Sequence, residues 1–332
     1  MQSDYALYQH PKLITVFGGS GFVGRHVVET LTKRGYRVRI AVRHPQKAYY
    51  MLQVGDVGQT QMLKTDIKHR ASVVRALLGA DGAVFLPGSL TQADQSNFKK
   101  TQIDGTKNVS ELAAQAGIPL IYMSALVADQ NASFLYARIK SMGEKIVHDT
   151  HPQAIIMRPS VIFGPEDCFF NTLANLSCFL PIIPLFGGGQ SKLQPVYVGD
   201  IAEFVARALE GRVISGKDYD LGGPQIITFQ DALEKIFKVI RRKKTTLSMP
   251  LSIGLLIGGI LGTLGKLPLV PKLVTADQIR FLQVDNIVSQ EALKNSYTLE
   301  GVGITPRAMA TLLPNYLWRF RPHGQFSQNL LA

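Results

Sequence analysis

Seven residues near the start of the chain, Gly18-Gly19-Ser20-Gly21-Phe22-Val23-Gly24, constrain the fold more than any other stretch. They separate an apolar run over residues 13–17, read as a buried strand, from a helical period over residues 22–33 that stops at Gly35. Gly18, Gly21 and Gly24 stand three apart. Glycines so spaced let the backbone turn sharply out of a strand and bring a helix N-terminus close to a pyrophosphate, whose charge rests on the free N–H groups there. A glycine triplet alone is weak evidence. With the strand before it and the helix after it, the turn reads as a dinucleotide-binding element, with Gly18, Ser20, Gly21, Phe22 and Gly24 as its binding residues.

The alternation continues. Residues 36–42 suit a second strand and residues 82–86 another, with a helix ending near Gly117. A strand over 120–123, a helix over about 134–148 and a strand over 154–157 leading to Pro159 follow. Strands and helices of these lengths in turn predict an α/β fold, a doubly wound parallel sheet covered on both faces with right-handed crossovers. After Pro159 the rhythm breaks. Residues 163–189 read as loop-rich, residues 195–198 as strand-like, and a helix starts near Asp200; the composition changes again from about Ile226. The expected division is a nucleotide-binding domain over 11–165, its core completed by about 195–225. A smaller C-terminal α/β domain, for substrate or partner, takes residues 166–194 and 226–332.

The 332 residues, 46% hydrophobic and 18% charged, are enough for a substantial core and argue against disorder. The formal net charge of +12 attracts anionic partners of some kind. Zinc spacing, a helix-turn-helix signature and an aromatic-basic RNA motif are all missing, so no nucleic acid partner and no metal site are expected. Two cysteines, Cys168 and Cys178, in apolar surroundings read as buried thiols in a reducing compartment. Residues 1–11 carry no signal-peptide pattern and read as an uncleaved tail on a cytoplasmic protein.

The end of the second strand selects the dinucleotide. An acidic side chain there binds a ribose 2′-hydroxyl, whereas an arginine accommodates a 2′-phosphate. Here the strand closes on Ala41-Val42-Arg43-His44-Pro45 with Lys47 behind it, which favours NADP(H) over NAD(H). Tyr136 and Lys140, four apart, share one face of a predicted helix, and Ser124 follows the strand over 120–123. A tyrosine whose pKa a neighbouring cation lowers can exchange a proton near neutrality, and a serine can orient a substrate carbonyl. Ser124, Tyr136 and Lys140 are therefore the candidate catalytic set; an ordinary helix face explains a bare Tyr/Lys pair as well.

Together with the glycine turn and Ser124, three further segments resemble an atypical or extended short-chain dehydrogenase/reductase. These are Tyr136-Ala-Arg-Ile-Lys140, Arg158-Pro-Ser-Val-Ile-Phe-Gly-Pro165 and Pro195-Val-Tyr-Val-Gly-Asp-Ile-Ala202. Within it, Phe163-Gly-Pro-Glu-Asp-Cys-Phe-Phe-Asn171, residues 273–289 and residues 314–326 resemble the nucleotide-binding accessory subunit of respiratory complex I and its bacterial relatives. That resemblance implies a tightly held, mainly structural NADP(H) and a place on the peripheral arm, near the membrane and the quinone-reducing region. It implies that Asp66 contacts adenine and that Pro159 lies beside the nicotinamide. It also implies that Leu86-Pro-Gly88 lines the middle of the cofactor, although this wording departs from the family's small-residue motif.

Residues 251–265 carry one run of apolar and small residues without a charge, shorter than the ~20 needed to span a bilayer. With the basic cluster Arg241, Arg242, Lys243 and Lys244 ahead of it, residues 241–271 suit docking on an anionic membrane surface, or an ordinary buried helix behind a solvated charge run. The leading expectation is an NADP(H)-binding accessory or assembly-related subunit of NADH:ubiquinone oxidoreductase. It would sit peripherally on the inner face of the respiratory membrane with peripheral-arm subunits as partners. A free NADPH-dependent reductase or epimerase acting on a ketone, quinone or nucleotide-sugar stands second, and a redox sensor without chemistry third.

Overall fold

The structure is a computed structural model that describes residues 11–88, 95–255 and 276–324. Its first half contains β1 (Leu13–Phe17), α1 (Phe22–Lys33), β2 (Arg37–Val42), β3 (Thr60–Lys64), α2 (Arg70–Leu77) and β4 (Gly82–Phe85). There follow α3 (Gln95–Gln115), β5 (Leu120–Met123), α4 (Leu135–Thr150) and β6 (Ile155–Pro159). These strands, with β11 (Asp218–Leu221), form a seven-stranded sheet in the order β11-β6-β5-β4-β1-β2-β3. Every neighbouring pair is parallel. The α/β, doubly wound class expected from the alternation is the class found.

Parallel strands need both faces covered, and β1 shows how the sequence meets that demand. All five of its residues are buried. Ile14 and Val16 join one apolar cluster, whereas Phe17 joins the cluster on the opposite face. Thr15, also fully buried, satisfies its hydroxyl by donating to the Ala76 carbonyl at 2.7 Å. On the first face α1 buries Val27, Val28 and Leu31 against α6 (Val198–Leu209), which contributes Ile201, Phe204 and Val205. Arg34 at the end of α1 pairs with Glu203 and Glu210 of α6. The helix stops at Gly35, whose φ of +81° lets its N–H and that of Tyr36 donate back to Thr32 and Leu31. Helices α2, α3 and α4 cover the second face through Val73, Val109 and Val147.

A third apolar cluster gathers the remaining segments. It includes α5 (Phe169–Phe179), β8 (Ile182–Phe186), α7 (Phe229–Ile240) and residues 309–317; β8 pairs in parallel with β13 (Thr245–Met249), β7 (Ile162–Phe163) with β10 (Val196–Tyr197), and β9 (Lys192–Leu193) runs antiparallel to β12 (Ile227–Thr228). The two halves interleave. Leu299 and Ile304 pack into the cluster around α1, and Arg307 reaches buried Asp200 on α6 through two bonds of 2.8 Å.

Two expectations need correction. Residues 163–189 are not loop-rich, since α5 and β8 occupy most of them. Helix α5 starts where the Asp167 carboxylate accepts from the N–H groups of Phe170 at 2.6 Å and Asn171 at 3.2 Å, a side-chain cap. The cysteines are not both buried: Cys168 is exposed and Cys178 partly so. Cys168 immediately precedes the first turn of α5, outside the packed face that begins at Phe170. The reading of residues 256–271 as an apolar docking segment lies outside the described residues, as do residues 1–10.

Candidate dinucleotide site

Because the sheet is parallel, the segments leaving β1 to β6 all emerge at its carboxyl edge. There the structure places Gly18, Arg43, Asp66, Leu86 and Ser124, each at or within two residues of a strand end, and Pro159 as the last residue of β6. The chain direction across the sheet reverses between β1 and β4, and a crevice at such a reversal is where open α/β sheets take ligands. Gly18 borders it at φ +78°, where an added Cβ would lie 3.3 Å from the Pro87 nitrogen. The turn then folds back, with the Gly21 N–H donating to the Gly18 carbonyl at 3.0 Å. Gly24 brings α1 onto that turn so closely that a Cβ there would stand 2.3 Å from the Gly18 oxygen. Gly21 caps α1 without any side-chain acceptor, which leaves the first N–H groups of the helix, Phe22 among them, for an anion.

Around this cradle the groups sort by position. Arg43 and Lys47 are exposed at the β2 end, and no acidic side chain stands beside them in the sequence. Asp66 uses its carboxylate locally, accepting from the Lys68 N–H at 3.1 Å with the Lys68 ammonium 3.7 Å away. Leu86 is buried, and its N–H donates to Phe17.

On the other side, Lys140 is almost wholly buried, and its ammonium donates to the carbonyl of Met123, the residue before Ser124, at 2.9 Å. The same Nζ lies 5.6 Å from the centre of the Tyr122 ring. Burial pulls its pKa down to about 8, opposed by nearby Glu144. Tyr136 stands one turn earlier on α4, its ring stacked on Phe98 with an angle of 8° between planes. Burial pushes its pKa up to about 12. The Lys140 ammonium, bonded to the Met123 carbonyl, does not offset that burial, so Tyr136 at neutral pH is a neutral phenol and a hydrogen-bond donor.

Polar atoms left over among the described residues show where the site expects a ligand. Ser124 Oγ and Gln102 Oε1 are buried without a partner. The Gln102 amide donates to the Pro87 carbonyl at 2.8 Å, and a Cβ on neighbouring Gly88 would come within 3.0 Å of Lys140 Nζ. A buried acceptor without a donor costs roughly 1–3 kcal/mol, so such atoms await a partner. A dinucleotide fits this set: a glycine cradle, an uncapped helix N-terminus and unpaired polar atoms beside a buried lysine. Gln102 and Phe98 carry no motif that marks them in the sequence. Both lie on α3, whose apolar period identified only its C-terminal end near Gly117.

A parallel sheet with a glycine-rich crossover at its switch point and a Ser/Tyr/Lys set at the carboxyl edge defines a nucleotide-dependent oxidoreductase or epimerase class of fold. Residues 14–222 match the family model of the NAD dependent epimerase/dehydratase family, and the chain belongs to that family. One curated relative is subunit 9 of the 1 alpha subcomplex of mitochondrial NADH dehydrogenase [ubiquinone] from Arabidopsis thaliana. It is 29% identical over 318 residues, which span 93% of this chain and 78% of the relative. The ceramide reductase of Caulobacter vibrioides is 30% identical over 196 residues, 57% of this chain and 58% of that protein. Among solved structures, a dTDP-glucose 4,6-dehydratase from Streptomyces venezuelae with NAD bound superposes with a TM-score of 0.67 at 18% identity. That superposition covers 93% of this chain and 96% of the dehydratase.

Proposed function

We propose that this chain is an accessory or assembly-related subunit of NADH:ubiquinone oxidoreductase, and that it holds NADP(H) mainly as a structural cofactor. The observation that carries this reading is the similarity to the plant subunit over 93% of the chain, well beyond the family domain that ends at residue 222. The surplus falls on the C-terminal segments, which have no part in the glycine cradle. The state of Tyr136 and Lys140 points the same way. A tyrosine held as a neutral phenol and a lysine bonded to a backbone carbonyl can serve as donors to a ribose and an amide, which a structural cofactor needs.

In this reading the pyrophosphate rests on the N-terminus of α1, Arg43 takes the 2′-phosphate and Asp66 faces adenine. Leu86 and Pro159 flank the middle and the nicotinamide, while Ser124, Tyr136 and Lys140 donate to the ribose and amide. Bound NADP(H) supplies a hydride donor or acceptor. The chain's own residues bind, orient and exclude water from it.

The partner surface lies in the second half. Phe179 is 78% exposed, and Leu180, Ile182, Leu247 and Ile253 are exposed near it, with Ile182 and Leu247 on the outer face of the β8/β13 pair. Arg241 and Lys243 are exposed next to this strip, and Lys244 donates to the Leu180 carbonyl at 2.8 Å. An apolar strip edged by cations suits an anionic membrane surface, and we place the chain peripherally on the inner, cytoplasmic face of a respiratory membrane beside the peripheral arm. Among the described residues no helix is long and apolar enough to cross a membrane.

The test is to isolate the complex from native membranes, assay for this chain in it, then denature the chain and quantify the released nucleotide. Near-stoichiometric NADP(H) on a co-purifying chain is the expected result; a chain that never accompanies the complex refutes the assignment. A second reading, a free NADPH-dependent reductase or epimerase, is favoured by the complete Ser124, Tyr136 and Lys140 set and by the similarity to ceramide reductase. Under it Tyr136→Phe abolishes turnover while cofactor binding stays near wild type, and an equally active variant rules it out.

A further inference from the structure

Arg25 follows the last glycine of the turn directly and sits on the first turn of α1. Its guanidinium pairs with Glu166, from the segment between β7 (Ile162–Phe163) and α5. On its other side the guanidinium carbon lies 6.0 Å from the centre of the Tyr50 ring. The Tyr50 hydroxyl donates to the Ser20 carbonyl, inside the glycine turn, at 3.1 Å. Three segments distant in sequence therefore meet over the N-terminus of α1. Tyr50 comes from the short helix Tyr49–Gln53 that follows β2, and Glu166 from the segment that follows β6 and β7. In the sheet β2 and β6 lie on opposite sides of β1, so the link Tyr50–Arg25–Glu166 spans the mouth of the crevice rather than running along one side of it.

The fold does not need this link for its stability. The Arg25 and Glu166 side chains retain 30% and 50% of their exposure, and Tyr50 is exposed too. An ion pair of that kind contributes about 0–1 kcal/mol. Yet Arg25 Nε is buried and has no partner among the described residues, although the same guanidinium is held from both sides. A cation fixed beside an uncapped helix N-terminus, with one donor to spare, is suited to a phosphate oxygen.

We propose that Arg25, Tyr50 and Glu166 form a retention clasp across the dinucleotide site. Arg25 contributes charge toward the pyrophosphate, while Glu166 and Tyr50 position it and close the mouth. This inference rests on the dinucleotide reading above and adds that the release rate of the nucleotide is set by a link outside the glycine cradle. Opening requires the Arg25–Glu166 pair to part and Tyr50 to leave Ser20, with no movement of the sheet.

The experiment is a stopped-flow chase. Full-length protein loaded with NADPH is mixed with excess NADP+, and the loss of bound-nucleotide fluorescence is followed for wild type, Glu166→Gln and Tyr50→Phe at low and high salt. Each variant is expected to release NADPH about fivefold faster, the factor that roughly 1 kcal/mol confers. Wild-type release should quicken with salt as the pair is screened, and Glu166→Gln should show a smaller salt dependence, the part due to the phosphate contacts of Arg25 and Arg43 remaining. The charge exchange Arg25→Glu with Glu166→Arg keeps the bridge but moves the cation, so it should retain slow opening while weakening affinity. Release rates within twofold of wild type in both single variants overturn the clasp and leave dinucleotide binding standing. A wild-type chain that binds neither NADPH nor NADH overturns the clasp together with the reading beneath it.

Discussion

Replacing Gly24 by alanine tests whether the close seat of α1 on the glycine turn is what the nucleotide site is built on. The new Cβ would stand 2.3 Å from the Gly18 oxygen and 2.6 and 2.7 Å from the Gly19 Cα and carbonyl carbon. All three neighbours are backbone atoms, so no rotamer change can relieve them. Non-bonded carbons settle near ~3.5 Å, and α1 must therefore retreat by about 1 Å. Overpacking of this kind costs about 1–3 kcal/mol, and alanine's better helix propensity offsets about 1 kcal/mol of that. The net loss of stability is then ~0–2 kcal/mol, a fall in Tm of a few degrees at most. Binding suffers more. A hydrogen bond to a charged acceptor contributes about 1.5–3 kcal/mol, and pulling one helix N–H out of reach of the pyrophosphate raises Kd roughly 10- to 100-fold. Calorimetric titration with NADPH and thermal unfolding read the two effects separately. Gly21→Ala is the control for the clash, because its Cβ meets only the Gly18 oxygen at 3.3 Å and its φ is an ordinary −74°. If Gly24→Ala unfolds at or above the wild-type temperature and binds NADPH with the wild-type Kd, the cradle argument is wrong.

Other perturbations follow from the same structure. Lys140 has its pKa lowered from 10.5 to about 8 by burial, so its charged form is costlier in the folded than in the unfolded chain. That cost is complete below pH 8 and disappears by pH 10.5, so stability of the nucleotide-free protein should rise relative to Lys140→Met across this window, by something on the order of 3 kcal/mol. Denaturant midpoints for the two proteins that stay parallel from pH 7.5 to 10.5 would contradict the buried, single-bonded ammonium. Arg43→Ala should raise the Kd for NADPH about tenfold or more and leave that for NADH nearly unchanged, and equal losses for both would remove Arg43 from the 2′-phosphate. Phe179→Glu with Leu247→Glu should end co-sedimentation with anionic vesicles without altering the thermal transition; undiminished binding would assign the apolar strip to something other than lipid.

How far the chain is legible varies residue by residue. The glycine turn reads from sequence because it is local: a strand, three spaced glycines and a helix within about twenty consecutive residues carry the whole signal, and β1 and α1 lie where the pattern puts them. The Tyr136/Lys140 pair is legible as a helix face for the same reason. Its electrostatics are not, because whether Lys140 serves Tyr136 or the Met123 carbonyl depends on how α4 packs on β5. Helix α5 does carry a helical period, with Phe169, Leu173 and Leu176 four and three apart on one face, but the prolines and glycines on either side of it give residues 163–189 a loop-rich look. Strand β11 hides behind alternating acids. Asp218 is bound by Arg158 at 2.7 Å and Asp220 accepts from the Ser289 N–H at 3.0 Å, partners that lie far away in sequence. Arg25, Tyr50 and Glu166 are likewise unremarkable charges and an aromatic until the fold brings them together.

The lateness of α6 and β11 has a consequence for how the protein is made. Ribosomes deliver about 5–20 residues per second, so on the order of ten seconds or more pass between the emergence of α1 and that of its cover, α6. For that interval Val27, Val28 and Leu31 have β1 and β2 beneath them but lack their α6 partners Ile201, Phe204 and Val205, and the edge of β6 has no β11 to pair with. A nascent chain bearing a complete glycine turn therefore still has an uncovered helix face and an unpaired sheet edge. Premature termination anywhere before Leu221 yields the same incomplete object, whatever the integrity of its phosphate-binding residues. The completeness of the sheet is thus decided by a segment remote from the glycine turn in sequence.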